Sequence, residues 1–170
     1  MTSKPAKYHS SFTIANIHFT VITSTSGIKE IIFNLEKNNP KLVNTIQLQP
    51  EDTAMRNIYS QMKEFFDGER KEFNLPLETE GTEFQKKVWD ELIKIPFGTT
   101  ISYKELAVRL GDEKVIRAAA SANGANPLPI VIPCHRVIGS DGSLVGYGSG
   151  LKIKEKLLAL EGNGSPGLFD

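Results

Sequence analysis

A chain of 170 residues, 39% of them hydrophobic, holds enough apolar material for one large domain or two small ones. Twenty basic side chains balance twenty acidic ones, so any contact with nucleic acid has to be local rather than a general basic surface. The single cysteine excludes an internal disulfide and a thiolate-rich zinc site and suits a reducing cytosol. His9, His18 and His135 show no ligand spacing, and no run approaches the ~20 apolar residues of a membrane span.

Residues 1–10 are polar, lack the apolar core of a signal peptide, and are expected to be loose. From Phe12 to Leu35 the pattern is β-like. Phe12, Ile14, Ile17, Phe19, Val21 and Ile22 interleave with Thr, Asn and His. A turn at Ser24-Thr25-Ser26-Gly27 precedes a second β-branched run from Ile28, giving an antiparallel meander that ends at Asn38-Asn39-Pro40. Residues 51–66 place Ala54, Ile58, Met62, Phe65 and Phe66 at helical spacing, with Gly68 as the stop. No chemical constellation lies in this half, which reads as scaffold.

Residues 73–82 read as a linker. Thr82 then opens a helix, with Gln85 at the capping-box position and a stripe of Phe84, Val88, Leu92 and Ile95 widened by Trp89. Pro96-Phe97-Gly98 closes it. A second helix begins near Ser102, with Glu105 at the capping-box position and Leu106 and Leu110 on its apolar face. A third runs over residues 113–122. Two short helices joined by a Gly-containing turn read as a helix-turn-helix or as an ordinary αα-hairpin. In the third helix Arg117 precedes five small side chains, a surface that suits close approach to another backbone.

Residues 123–129 form a proline-bounded loop that leads into Ile130-Val131-Ile132-Pro133-Cys134-His135-Arg136-Val137. The three apolar residues read as a short buried strand, and Pro133 restricts both itself and Ile132. The lone cysteine is thus delivered at the end of a rigid segment, beside a histidine able to draw off its proton. Taken by itself, Cys134 reads more readily as a small buried hydrophobe. Neighbouring side chains of a strand face opposite ways, so joint action requires the backbone to turn at Cys134 or a water to bridge the two.

Beyond the cysteine, Ser140-Asp141-Gly142-Ser143 is a hairpin-turn signal, and Gly146-Tyr147-Gly148-Ser149-Gly150 is a glycine-rich loop without phosphate-loop spacing. Residues 151–161 read as the last helix, closed by Gly162. Glu161 stands at its C-terminus, where a negative charge is mildly unfavourable unless it has a partner, and His135 is a candidate. The expected fold is α/β (α+β). A small N-terminal sheet-plus-helix domain, residues 1–80, precedes a mainly helical C-terminal domain, residues 81–170, with a helix-turn-helix.

Asn126-Pro127, Ile132-Pro133-Cys134-His135-Arg136-Val137, Gly146-Tyr147, Leu157-Leu158 and Glu161-Gly162 together resemble the 6-O-alkylguanine-DNA alkyltransferases, also called methylated-DNA-protein-cysteine methyltransferases. The resemblance covers residues 68–162. It implies direct, irreversible, stoichiometric transfer of an alkyl group from the 6-oxygen of guanine, or the 4-oxygen of thymine, in double-stranded DNA. It further implies a monomer that needs no cofactor or metal. Cys134 resembles the alkyl acceptor, and His135 the base that takes its proton through a water, with Glu161 orienting the imidazole. Asn126 resembles the residue bracing the loop. Tyr103 resembles the phenol that crowds the flipped nucleotide's phosphate and gives a proton to the departing base. Arg117 resembles the finger that fills the hole in the stack. Lys104 and Ser140 fall where the family touches the DNA backbone, and Tyr147, Gly148 and Ser149 fall on the loop walling the guanine pocket.

Physical chemistry is consistent with these roles. A base edge inside a duplex is out of reach, so the nucleotide must be flipped, and a side chain filling the gap recovers part of that cost. Where the family often has glycine after the finger arginine this chain has Ala119 and Ala120, whose methyls are expected to hold the helix off the groove. Two other readings stay open: a non-reactive lesion-binding module, and a cysteine hydrolase using Cys134, His135 and Asn126.

Overall fold

The computed structural model describes residues 6–144 and 150–162. The chain divides into two compact units, Met1–Glu80 and Gly81–Asp170.

In the first unit, strands β1 (Lys7–Ile14), β2 (Ile17–Ser24), β3 (Ile28–Phe33) and β4 (Thr45–Gln47) form one sheet in the order β3-β2-β1-β4. Period-2 alternation shapes β1, where Ser10, Phe12 and Ile14 are buried while Ser11 and Thr13 are exposed. The β1–β2 hairpin turns at Ala15 and Asn16, both at positive φ, as the tight turns matched to strand twist require. Helix α1 (Thr53–Phe66) covers the sheet with Met55, Ile58, Met62 and Phe65. Phe12 meets Tyr59 edge-on at 5.0 Å, and Phe19 lies between Phe33 and Phe66.

Four expectations for this unit are corrected. Residues 7–10 are not loose, because they pair with β2 and β4. The sheet does not end at Pro40: β4 adds a short parallel edge, too brief and too exposed to show a hydrophobic pattern. On α1 it is Met55, not Ala54, that faces the core. Residues 73–80 are no free linker, since Ile28 N–H donates to Pro76 O, Glu78 N–H donates to Ile28 O, and Phe73 packs on Phe65.

The second unit is helical around a two-stranded parallel ribbon of β5 (Ile101–Ser102) and β6 (Val137–Ile138). Its helices are α2 (Glu83–Ile93), α3 (Tyr103–Arg109), α4 (Ile116–Gly124) and α5 (Leu151–Leu160). Thr82 and Gln85 close a reciprocal capping box on α2, and Ser102 Oγ caps α3 through the Glu105 N–H. Val88, Trp89 and Leu92 of α2 are buried, and Trp89 Nε1 donates to Ala122 O at 2.9 Å, which pins the end of α4. A 3-10 turn, residues 113–115, leads from the Gly111 turn into α4.

Two further corrections fall here. The apolar run before the cysteine is not a strand. Asn126 folds it back, with Nδ2 donating to Ile132 O and Oδ1 accepting from Leu128 N–H. Ile130 is left at φ 76, a strained value for a β-branched residue, buried in the core of the turn. The turn at residues 140–143 does form, with Gly139 N–H donating to Ser143 O, but no strand follows it among the described residues.

Candidate functional site

Cys134 is 4% exposed and opens a 3-10 turn, Cys134–Arg136, between the Asn126-braced loop and β6. Cys134 N–H donates to Ile132 O and Arg136 N–H to Pro133 O. The backbone therefore turns at the cysteine, and the three side chains Cys134, His135 and Arg136 are all buried.

His135 is fully buried and its Nε2 lies 3.0 Å from Glu161 Oε1. Glu161 is also gripped by Arg136, whose Nε lies 3.0 Å from both carboxylate oxygens and whose Nη2 lies 2.5 Å from Oε1. Arg136 Nη1 donates to Ile95 O, and its guanidinium sits over the Phe97 ring. Burial pushes the Glu161 carboxyl up, but the hydrogen bonds from His135 and Arg136 outweigh it and leave the group below its usual value. Glu161 is thus a carboxylate that can only accept. His135 Nε2 must carry the hydrogen, which assigns Nδ1 as the bare, basic nitrogen. That Nδ1 is buried without a hydrogen-bond partner among the described residues. Burial lowers the His135 pKa more than Glu161 raises it, so the imidazole is neutral at physiological pH.

Tyr103, the first residue of α3, is buried. Burial first, and the nearby charge of Cys134 second, raise its pKa, while a hydrogen bond from Asn123 acts against them. Lys154, on α5, is entirely buried. Its Nζ donates to Val137 O at 2.6 Å and lies 5.8 Å from the Tyr103 ring centre. Burial lowers its pKa to about 8, against the pull of a negative Cys134. A lysine with that value is still largely protonated at neutral pH. The thiol therefore shares its surroundings with a neutral imidazole, a phenol and an ammonium group. Such a set can take a proton, stabilise a thiolate and supply a proton to a leaving group.

The remaining residues singled out in the sequence lie elsewhere or outside the described residues. Arg117 is exposed on α4, on the same face as Ala118 and Ser121. Ala119 is fully buried, so its methyl packs inward and cannot hold α4 away from a partner, while Ala120 is half-buried. Lys104 is exposed and paired with Glu113 at 2.9 Å. Ser140 is exposed at the turn after β6. Tyr147, Gly148 and Ser149 lie outside the described residues. Among the described residues no cluster of His, Cys, Asp and Glu forms a metal site, and no helix is long and apolar enough to cross a membrane.

Sequence reasoning missed Asn123, Lys154 and the role of Arg136. Lys154 had a signal: it precedes Leu157 and Leu158 by three and four residues, on the inward stripe of α5. Arg136 had none, because nothing near it in the sequence marks a basic side chain for burial.

Comparison with known proteins identifies relatives. The family described as 6-O-methylguanine DNA methyltransferase, DNA binding domain, matches residues 83–163. A methylated-DNA–protein-cysteine methyltransferase of Methanosarcina barkeri is 54% identical over 108 residues, 64% of this chain and 68% of the relative. One from Methanosarcina mazei is 44% identical over 137 residues, covering 81% and 85%. Among solved structures, the Mycobacterium tuberculosis O6-methylguanine methyltransferase superposes with a TM-score of 0.84 at 34% identity, covering 96% of this chain and 99% of that one. The M. tuberculosis OGT in complex with DNA gives 0.82.

Proposed function

The chain belongs to the methylated-DNA–protein-cysteine methyltransferases, and on that premise we propose that it repairs alkylated DNA by moving the alkyl group from the 6-oxygen of guanine to Cys134. The observation that carries the residue assignment is simple: a cysteine acceptor is needed, and Cys134 is the only cysteine of the 170 residues.

His135 Nδ1 takes the thiol proton through a bridging water, and Glu161, held ionised by Arg136, stabilises the imidazolium that results. The Lys154 ammonium stabilises the thiolate. Sulfur attacks the alkyl carbon, the carbon–oxygen bond breaks, and its electron pair leaves with the guanine. Tyr103 supplies the proton that neutralises the departing base. The thioether has no leaving group, so each molecule acts once. Asn126 keeps the loop before Cys134 in its folded-back shape.

The damaged nucleotide must leave the stack, at a few kcal/mol, to reach a buried sulfur. Helices α3 and α4 act as a helix-turn-helix. The exposed Arg117 enters the stack, the small side chains Ala118 and Ser121 allow close approach, and Lys104 and Ser140 contact phosphates. Lys104 has first to exchange Glu113 for DNA. The resemblance assigns contact with the flipped base to Tyr147, Gly148 and Ser149. The protein works as a cytoplasmic monomer on double-stranded DNA.

Intact-mass analysis after incubation with a duplex carrying one 6-O-methylguanine tests this. One methyl group should appear, and peptide mapping should place it on Cys134; Cys134→Ser should bind the duplex and gain none. A methyl on another residue, or transfer by the serine variant, overturns the assignment.

A further inference from the structure

Asn123 takes no part in the chemistry described so far, yet it lies among the reacting groups. It is one residue from the end of α4 and 1% exposed. Its Nδ2 faces the backbone oxygen of Cys134 at 3.4 Å. The opposite amide orientation would set oxygen against oxygen, which assigns the donor end to that side. The same side chain hydrogen-bonds the Tyr103 phenol. Its Oδ1, by contrast, is buried with no hydrogen-bond partner among the described residues. An unsatisfied buried acceptor carries a desolvation cost that a leucine of similar volume would avoid. The amide is explained by what its donor end does.

We propose that Asn123 is a positioning residue for proton transfer: it holds the Tyr103 phenol by donating to its oxygen, and it stabilises the negative charge that develops there when the phenol gives up its proton. This rests on Tyr103 being the proton donor. In the step, the sulfur–carbon bond forms, the carbon–oxygen bond breaks and the guanine takes its electron pair. The Tyr103 O–H bond then breaks and its proton passes to the guanine. A phenolate remains, facing the Asn123 N–H on one side and the Lys154 ammonium near its ring on the other.

The test is a double-mutant cycle on single-turnover transfer from free 6-O-benzylguanine, a substrate that needs no base flipping. The functional reading has its own test in methyl transfer from the methylated duplex to Cys134, and failure there is distinct from failure of this inference; a wild type that ignores the free base is assayed through the same cycle on that duplex. Asn123→Ala should slow transfer about 10- to 100-fold, the range for losing one hydrogen bond to a charged oxygen. In a Tyr103→Phe background the same substitution should change the rate less than about threefold, because its partner oxygen is gone. Equal slowing in both backgrounds, or none in either, overturns the proposal. Asn123→Asp keeps the shape and removes the donor. It should be at least as slow as Asn123→Ala, and recovery of the wild-type rate would also overturn the proposal. Should Asn123→Ala fail to melt cooperatively, the cycle run with Asn123→Asp decides.

Discussion

Replacing Lys154 by methionine should make the protein more stable and less reactive at once. The side chain is wholly buried, and burial lowers its pKa from 10.5 to about 8. That gap corresponds to about 3 kcal/mol of destabilisation at neutral pH, where the lysine is charged in both the folded and unfolded states. Methionine is close in volume and removes the charge. Against this, Val137 O loses its donor at 2.6 Å, a cost of ~1–2 kcal/mol. The net gain is about 1–2 kcal/mol, or roughly 3–6 °C in melting temperature for a chain of this size. The sign of the pH dependence follows from the lowered pKa. Between pH 8 and 10.5 the unfolded chain binds the extra proton, so wild type gains stability as pH rises through that window. The advantage of Lys154→Met should therefore be full below pH 8 and shrink above it. Transfer to Cys134 should slow about tenfold or more, since the thiolate loses its neighbouring positive charge. Thermal melts at intervals from pH 7 to 10.5, with single-turnover rates at pH 7.5, measure both effects. A variant no more stable than wild type, with a difference that does not change across that pH range, would refute the reasoning.

Glu161→Gln should destabilise the second unit by about 3–5 kcal/mol in chemical denaturation, because it leaves the Arg136 guanidinium buried without its counter-charge. Wild type should lose stability on acidification in two stages. The first begins below pH 6.5, where the unfolded chain protonates His135 and the folded one resists; the second begins below pH 4.5, where Glu161 does the same, and melts over pH 3–7 report both. Arg117→Ala should slow repair of a methylated duplex much more than reaction with free 6-O-benzylguanine, and duplex binding should weaken only gently with salt, reflecting few phosphate contacts. Methylation of Cys134, which is 4% exposed, adds volume to a packed site and should lower the melting temperature by an amount matching ~1–3 kcal/mol, with benzylation costing more.

What the sequence determined by itself was whatever local chemistry writes within a few residues. The capping box at Thr82 and Gln85, the cap at Ser102, the stripe of Val88, Trp89 and Leu92, and the glycine stops at Gly68 and Gly162 depend on contacts one to four residues apart. The pairing of His135 with Glu161 was legible too, because a carboxylate at a helix C-terminus calls for a partner. Only the tertiary structure decided the rest. The run from Ile130 to Ile132 reads as a strand by composition, but Asn126 bonds fold it back and hold Ile130 at positive φ against its preference. Residues 73–80 look like a linker and are fastened by bonds to Ile28, nearly fifty residues away. Ala119 reads as part of a groove-facing surface but packs inward once α2 and α3 fix the rotation of α4. Lys154 and Arg136 belong here too, as charged side chains whose polar partners come from other elements. They are buried because the fold supplies a backbone carbonyl and a carboxylate at the points where their heads come to rest, and no local pattern encodes a partner that the chain delivers from another element.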